Sequence, residues 1–167
     1  NSAVTFNGPL TFSAEFGTFI SSYAGGYPME RYLFVIDYQN DFVDGALGFP
    51  GAENLDAKIA AKIRQYGQGH VLFTRDTHFE NYLNTPEGAK LPVEHCIKGT
   101  WGWEIPAELI VDEKNGGKIM DKYTFGSLDL LDEVIHTNWG EIINEIEFVG
   151  LCTDICVVSN VLMAKAH

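Results

Sequence analysis

The run Tyr32-Leu33-Phe34-Val35-Ile36 is apolar at every position and stops at Asp37. A strand with one wet face alternates apolar and polar side chains. An unbroken apolar run therefore reads as a strand covered on both faces, the condition of a parallel sheet held between helical layers. The rest of the chain continues in that style. Residues 52 to 66 place Leu55, Ile59, Ile63 and Tyr66 at helical spacing, with Gly67 as the expected C-terminal cap. His70 to Thr74 predicts a second strand, and Lys118-Ile119-Met120 a short third one. Ser127 then caps a helix with Leu128, Leu131, Val134 and Ile135 on one face, and Glu147 to Leu151 is a fourth strand leading into a helix from about Thr153.

Strands alternating with helices imply right-handed crossovers, and the expected fold is α/β, three αβα layers around a mostly parallel, Rossmann-like sheet. Residues 1 to 30 lack a clear period and read as an irregular N-terminal extension or a loosely paired hairpin, so the single domain is placed at residues 31 to 167. The last helix runs to His167 without a cap signal, and further C-terminal strands are expected to complete the sheet. The stretch from Asp76 to about Gly102 is longer than structureless connections usually are, which marks it as functional.

Composition narrows the partners. With 11 basic and 23 acidic residues in 167, the net charge of −12 repels phosphate backbones and anionic headgroups, so neither nucleic acid nor a membrane surface is expected. No apolar run approaches the roughly 20 residues that span a bilayer. Three cysteines, Cys96, Cys152 and Cys156, are an odd number in a chain able to build its own core, and free thiols in a reducing, cytoplasmic setting fit them better than a disulfide framework.

In parallel sheets ligands gather at the carboxyl ends of the strands. Asp37, Asp76, His78, Lys122 and Cys156 all fall there. A cysteine in the first turn after a strand lies near a helix N-terminus, where the dipole favours thiolate; a buried inert thiol is the plain alternative. A carboxylate such as Asp37 accepts the thiol proton, and an ammonium such as Lys122 keeps that carboxylate ionised. Asp76 and His78, two apart in extended chain, point to one side, and His95 offers a third ligand. Two imidazoles and a carboxylate leave coordination positions open and suit a divalent metal: zinc, iron or manganese.

Four segments carry a resemblance. Val35 to Phe42, Thr74-Arg75-Asp76-Thr77-His78, His95 to Thr100 and Gly150 to Val157 together resemble the isochorismatase-like cysteine hydrolases, most nearly the nicotinamidase branch. The resemblance implies Asp37, Lys122 and Cys156 as the catalytic set, Asp76, His78 and His95 as the ligands of a metal, zinc above all, that receives a pyridine nitrogen, and a homo-oligomer. It also implies a cis peptide before Cys152, aiming the backbone N–H groups of Cys152 and Cys156 at the substrate carbonyl as an oxyanion hole. The reaction implied is cleavage of a small carboxamide, plausibly nicotinamide, to acid and ammonia through a thioester.

The family often places Trp-Pro ahead of the His-Cys motif as an aromatic wall. Here the run is Leu91-Pro92-Val93-Glu94-His95, one residue longer and without the tryptophan. The candidate substrate pocket is accordingly Phe42, Leu91, Trp101 and Tyr123, with Trp103 as a further wall candidate. Two rivals stand beside this reading. Phosphoryl transfer from an aspartate ending an apolar strand needs a second Asp two residues on, and Gln39 occupies that place. A non-catalytic metal- or ligand-binding relative keeps the fold and loses the reactive thiol.

Overall fold

The computed structural model describes residues 19–22, 30–67, 69–110, 117–137 and 143–166. Residues 1–18 and 23–29 of the expected extension, the side chain of Ile135 and His167 lie outside the described residues. Five strands form one sheet: β1 (Phe19–Ser22), β2 (Glu30–Ile36), β3 (Val71–Asp76), β4 (Lys118–Lys122) and β5 (Ile143–Gly150), in the order β1-β5-β2-β3-β4. The last four run parallel, while β1 pairs antiparallel with β5 along one edge, Phe19 opposite Phe148. A strand thus stands within the segment expected to be irregular. Its partner among the described residues is not the adjacent β2 but β5.

The apolar run of β2 does what its pattern predicts. Leu33 and Val35 pack on one side of the sheet with Val71, Phe73 and Val149; Tyr32, Phe34 and Ile36 pack on the other with Leu72 and Phe148. Short α1 (Asn40–Val43) and α2 (Asp56–Ile63) cover the first face, and α3 (Leu128–Thr137) and α4 (Val158–Ala166) the second. These are the three expected layers. No described helix is long and apolar enough to cross a membrane.

Element ends differ from the sequence reading in ways that matter for the site. The helix expected over residues 52 to 66 begins as a tight 3-10 turn, Ala52–Leu55, and its α part ends at Ile63. Gly67 does not cap it. Gln65 and Tyr66 donate to Lys62 and Ile63 instead, tightening the chain before the glycine is reached, and the buried Tyr66 ring anchors that turn. Ser127 does cap α3, its Oγ accepting from Leu130 N at 3.3 Å. Both β3 and β4 run two residues beyond their expected ends at Thr74 and Met120, which brings Asp76 and Lys122 into direct register as parallel neighbours. Sequence hydrophobicity could not show that extension, because the added residues are polar and are paired by the neighbouring strand.

Candidate active site and metal-ligand group

Asp37 follows β2 at the carboxyl edge and is fully buried. Thr74, from the inward face of β3, fixes it twice: Asp37 N donates to Thr74 Oγ1 at 3.1 Å, and that hydroxyl donates to Asp37 Oδ1 at 2.7 Å. Lys122 Nζ lies 2.7 Å from Asp37 Oδ2, 3.3 Å from Asp76 Oδ1 and 3.8 Å from Cys156 Sγ, and donates to Thr124 O at 3.1 Å. One ammonium therefore bridges both carboxylates and the sulfur. The short Lys122 approach to Asp37 Oδ2 is an ion pair without hydrogen-bond alignment, so that oxygen keeps no aligned donor.

Charges follow from this packing. Burial raises the Asp37 carboxyl above its ordinary range, and the Lys122 ammonium opposes it. Lys122, although burial works against its charge, is held well above the usual lysine value by Asp37 and Asp76. The Cys156 thiol is pushed up, first by burial and then by the Asp37 carboxylate, with Lys122 pulling the other way. The expected low thiol pKa is therefore not found. Cys156 is buried within a π-turn, Thr153–Val157, that precedes α4, and desolvation outweighs whatever the helix dipole supplies. Burial thus favours the neutral thiol, with the Lys122 ammonium 3.8 Å from its sulfur.

The turn before Cys156 corrects a second expectation. No described peptide bond is cis, and Leu151–Cys152 is trans. The reversal is made instead by Gly150 at φ 145° and Cys152 at φ 41°. Gly150 is needed there because a Cβ would collide with Ile36 O of the neighbouring strand. Cys152 is half-buried, its carbonyl accepts from Ile155 N at 3.1 Å and Val157 N at 3.2 Å, and burial raises its thiol to about 11. Asp37, Cys96 and Cys152 are the described non-glycine residues with positive φ. Each left-handed residue costs roughly 1–2 kcal/mol, and such strain gathers where a site over-determines the backbone.

Asp76, His78 and His95 offer ligand atoms within 4.8 Å of one another. His78 Nε2 lies 3.1 Å and His95 Nε2 3.9 Å from Asp76 Oδ2. His95 Nδ1 donates to Val93 O at 2.8 Å, which leaves Nε2 with its lone pair free, as a metal-binding imidazole requires. Two imidazoles beside a carboxylate whose other oxygen is engaged by Lys122 suit a divalent metal ion.

Several positions around this group were missed in the sequence. Tyr82, fully buried, lays its ring against both imidazoles at 4.6 and 5.0 Å and ties its hydroxyl to Leu91 O. Glu87 Oε1 stands 3.8 Å from His78 Nε2. Gln39 holds Asp76 by its backbone, accepting from Asp76 N at 2.7 Å and donating to Asp76 O at 2.9 Å. Asp41 accepts from Cys96 N at 2.7 Å and so shapes the turn after His95. Tyr82 and Glu87 carry no signal in the sequence beyond their place in the long loop; Gln39 and Asp41 lie in the segment after the first strand.

The pocket candidates are spread out. Phe42 is buried edge-to-face on His95 at 5.7 Å. Tyr123, 59 % exposed, stacks on Phe79 at 6.0 Å. Leu91 and Trp101 are exposed, and their carbonyls, rather than their side chains, receive the hydrogen bonds from Tyr82 and Asn40. Trp103 is buried, with the Arg75 guanidinium 3.4 Å above its ring.

A parallel sheet with acid, amine and thiol at its carboxyl edge, beside an Asp-His-His group, defines a class, and comparison with known proteins gives it a name. The isochorismatase domain model matches residues 31–167, and the chain belongs to the isochorismatase family of hydrolases. It is 28 % identical over 138 residues to the nicotinamidase/pyrazinamidase of Mycobacterium tuberculosis, covering 76 % of this chain and 74 % of that protein. The nicotinamidase PncA of Bacillus subtilis superposes with a TM-score of 0.65 at 29 % identity, covering 83 % of this chain and 80 % of that one. The pyrazinamidase of Pyrococcus horikoshii, in complex with zinc, superposes equally well at 0.65 with 26 % identity, covering 83 % and 79 %. The motif-based resemblance and the expected fold are both upheld.

Proposed function

We propose that this chain hydrolyses a small carboxamide, nicotinamide foremost, to the acid and ammonia through a thioester on Cys156. The observation that carries the proposal is the Lys122 ammonium, 2.7 Å from Asp37 Oδ2 and 3.8 Å from Cys156 Sγ. Relatives named nicotinamidase or pyrazinamidase support the substrate class.

The thiol proton passes to Asp37 Oδ2 as the sulfur attacks the amide carbon, since no stable thiolate precedes attack. Backbone N–H groups of Cys152 and Cys156 are assigned to the developing oxyanion. The C–N bond then breaks, Asp37 returns its proton to the leaving nitrogen, and ammonia departs. A water next gives a proton to Asp37 while its oxygen attacks the thioester; the C–S bond breaks, the sulfur is reprotonated, and the carboxylic acid leaves. Lys122 keeps Asp37 ionised between these transfers.

Asp76, His78 and His95 would hold the metal, zinc foremost and iron or manganese as alternatives, with Glu87 Oε1 beside His78 Nε2 at 3.8 Å. When bound, it would supply a Lewis-acidic anchor for a ring nitrogen of the substrate. Phe42 and Tyr82 would flank that ring. Self-association and a role in NAD salvage belong to the same reading and rest on the resemblance, while a cytoplasmic setting rests on the three free thiols.

The test is ammonia release across nicotinamide, pyrazinamide, carbamoyl and aliphatic amides, with wild type and Cys156→Ala side by side. Turnover that survives in Cys156→Ala above a few per cent removes the thioester route. Nicotinamide inert beside another good substrate removes the narrow assignment and keeps the broad one. Inertness toward every amide favours the non-catalytic relative.

A further inference from the structure

Asn160 is a polar residue inside the otherwise largely apolar α4, and its side chain is buried, 2 % exposed. Asparagine is a poor helix former because its amide competes for backbone partners. Here it finds three. Its Nδ2 donates to Cys156 O one turn back at 2.8 Å and to Phe125 O at 3.2 Å, while its Oδ1 accepts from Ser127 N at 3.0 Å. Both donors meet carbonyls and the acceptor meets an N–H, so the amide orientation is forced by its partners.

Those partners form a closed circuit. The segment from Thr124 to Ser127 is the one whose Thr124 carbonyl accepts from Lys122 Nζ, and Lys122 Nζ in turn faces Cys156 Sγ. Asn160 joins the two arms of that circuit from behind, one through the residue bearing the sulfur and the other through the loop holding the amine. The loop lies so close to α4 that a Cβ at Gly126 would press on Met163 Sδ. Cys156 is borne on a π-turn, and the Asn160 amide reaches its carbonyl from the helix that follows.

We infer that Asn160 is a positioning residue, which sets the distance and direction of the Cys156 sulfur relative to Lys122 and Asp37 while touching neither sulfur nor substrate. The inference rests on the thioester reading for its effect on turnover, but its geometric content is independent of it. A hydrocarbon in its place would remove the side-chain partner of the Cys156 carbonyl, the Phe125 carbonyl and the Ser127 N–H, and let the Cys156 turn and the loop move separately.

The experiment compares wild type, Asn160→Ala and Asn160→Thr, the last keeping a hydroxyl donor for the Cys156 carbonyl but giving up the two bonds to the loop. Alkylation by iodoacetamide is followed for Cys156 across pH by mass spectrometry, with Cys152 in the same molecule as internal control, and melting temperature is recorded for each. Positioning predicts that Asn160→Ala moves the Cys156 alkylation midpoint by at least one pH unit toward that of an ordinary thiol while Cys152 stays put. It also predicts that kcat on a hydrolysed carboxamide falls about 30-fold with KM within twofold, and that Asn160→Thr falls between. Should Asn160→Ala not fold, Asn160→Thr alone decides by the same two readouts. A lower melting temperature with an unmoved Cys156 profile and unmoved kcat makes Asn160 merely structural and overturns the inference. An alkylation profile that shifts in a protein inert toward all amides sustains the clamp and discards the thioester function.

Discussion

Glu147 and Asp37 are buried carboxylates that each face a lysine, and the two pairs are built differently. In one, Glu147 of β5, 1 % exposed, meets Lys62 Nζ at 2.9 Å through Oε1 and the Tyr66 hydroxyl at 2.7 Å through Oε2. Oε2 takes a hydrogen bond and Oε1 an ion pair, and the contacts join the sheet to α2. In the other, Asp37 meets Lys122 at 2.7 Å, yet its Oδ2 has no aligned donor, its backbone is left-handed at φ 47°, and a thiol stands beside the amine. Burial of charge is common to both and so identifies nothing. On the proposed function, what separates the Asp37 pair from the Glu147 pair is unspent bonding capacity held in a strained place.

The contrast is broken or sharpened most strongly by activity. Asp37→Asn removes the proton acceptor and is expected to lower amide hydrolysis by about a thousandfold, whereas Glu147→Gln should leave the rate per folded molecule within about twofold. Comparable losses would erase the distinction. Stability comes next. Lys122→Met strands two buried carboxylates and should cost about 3–5 kcal/mol in chemical denaturation; Lys62→Met, whose side chain is 31 % exposed, should cost about 1 kcal/mol.

Acidity supplies a finer test. Burial raises Asp37 and the reaction needs its ionised form, so kcat/KM should fall with decreasing pH through a limb above the ordinary carboxylate range. A profile still flat at about pH 4 counts against Asp37 as the base. Lys122 is held above its usual value, so its contribution to stability is complete below the ordinary lysine pKa and is lost as pH rises beyond it. The stability gap between wild type and Lys122→Met should accordingly narrow above about pH 10. The smallest effect belongs to Glu87: Glu87→Gln should weaken zinc affinity, read by chelator competition, by about tenfold, and no change would leave Glu87 outside the metal group.

Legibility in the sequence tracked how local each signal was. Asp76-Thr77-His78 was readable as a ligand pair because alternation in extended chain fixes where both side chains point, and the single bridge between His78 and Ile97 brings His95 back beside them. Ser127 was readable as a cap because capping spans one turn. Tyr82, Thr74 and Asn160 were not readable, since each acts on a residue reached only through packing or another strand. The thiol's acidity was misjudged for the same reason: a helix N-terminus is visible in a sequence, whereas the extent of desolvation around Cys156 is not.

The order of residues alone determined a doubly covered parallel sheet and the strand ends at which its polar residues collect, because periodicity and strand termination are properties of short stretches of chain. Tertiary structure decided which of those residues meet, which carboxylate oxygen stays open, and that a left-handed Cys152 rather than a cis bond turns the chain before the nucleophile. These outcomes depend on register between β3 and β4 and on the exclusion of water from one edge. Both arise only when segments far apart in sequence pack together.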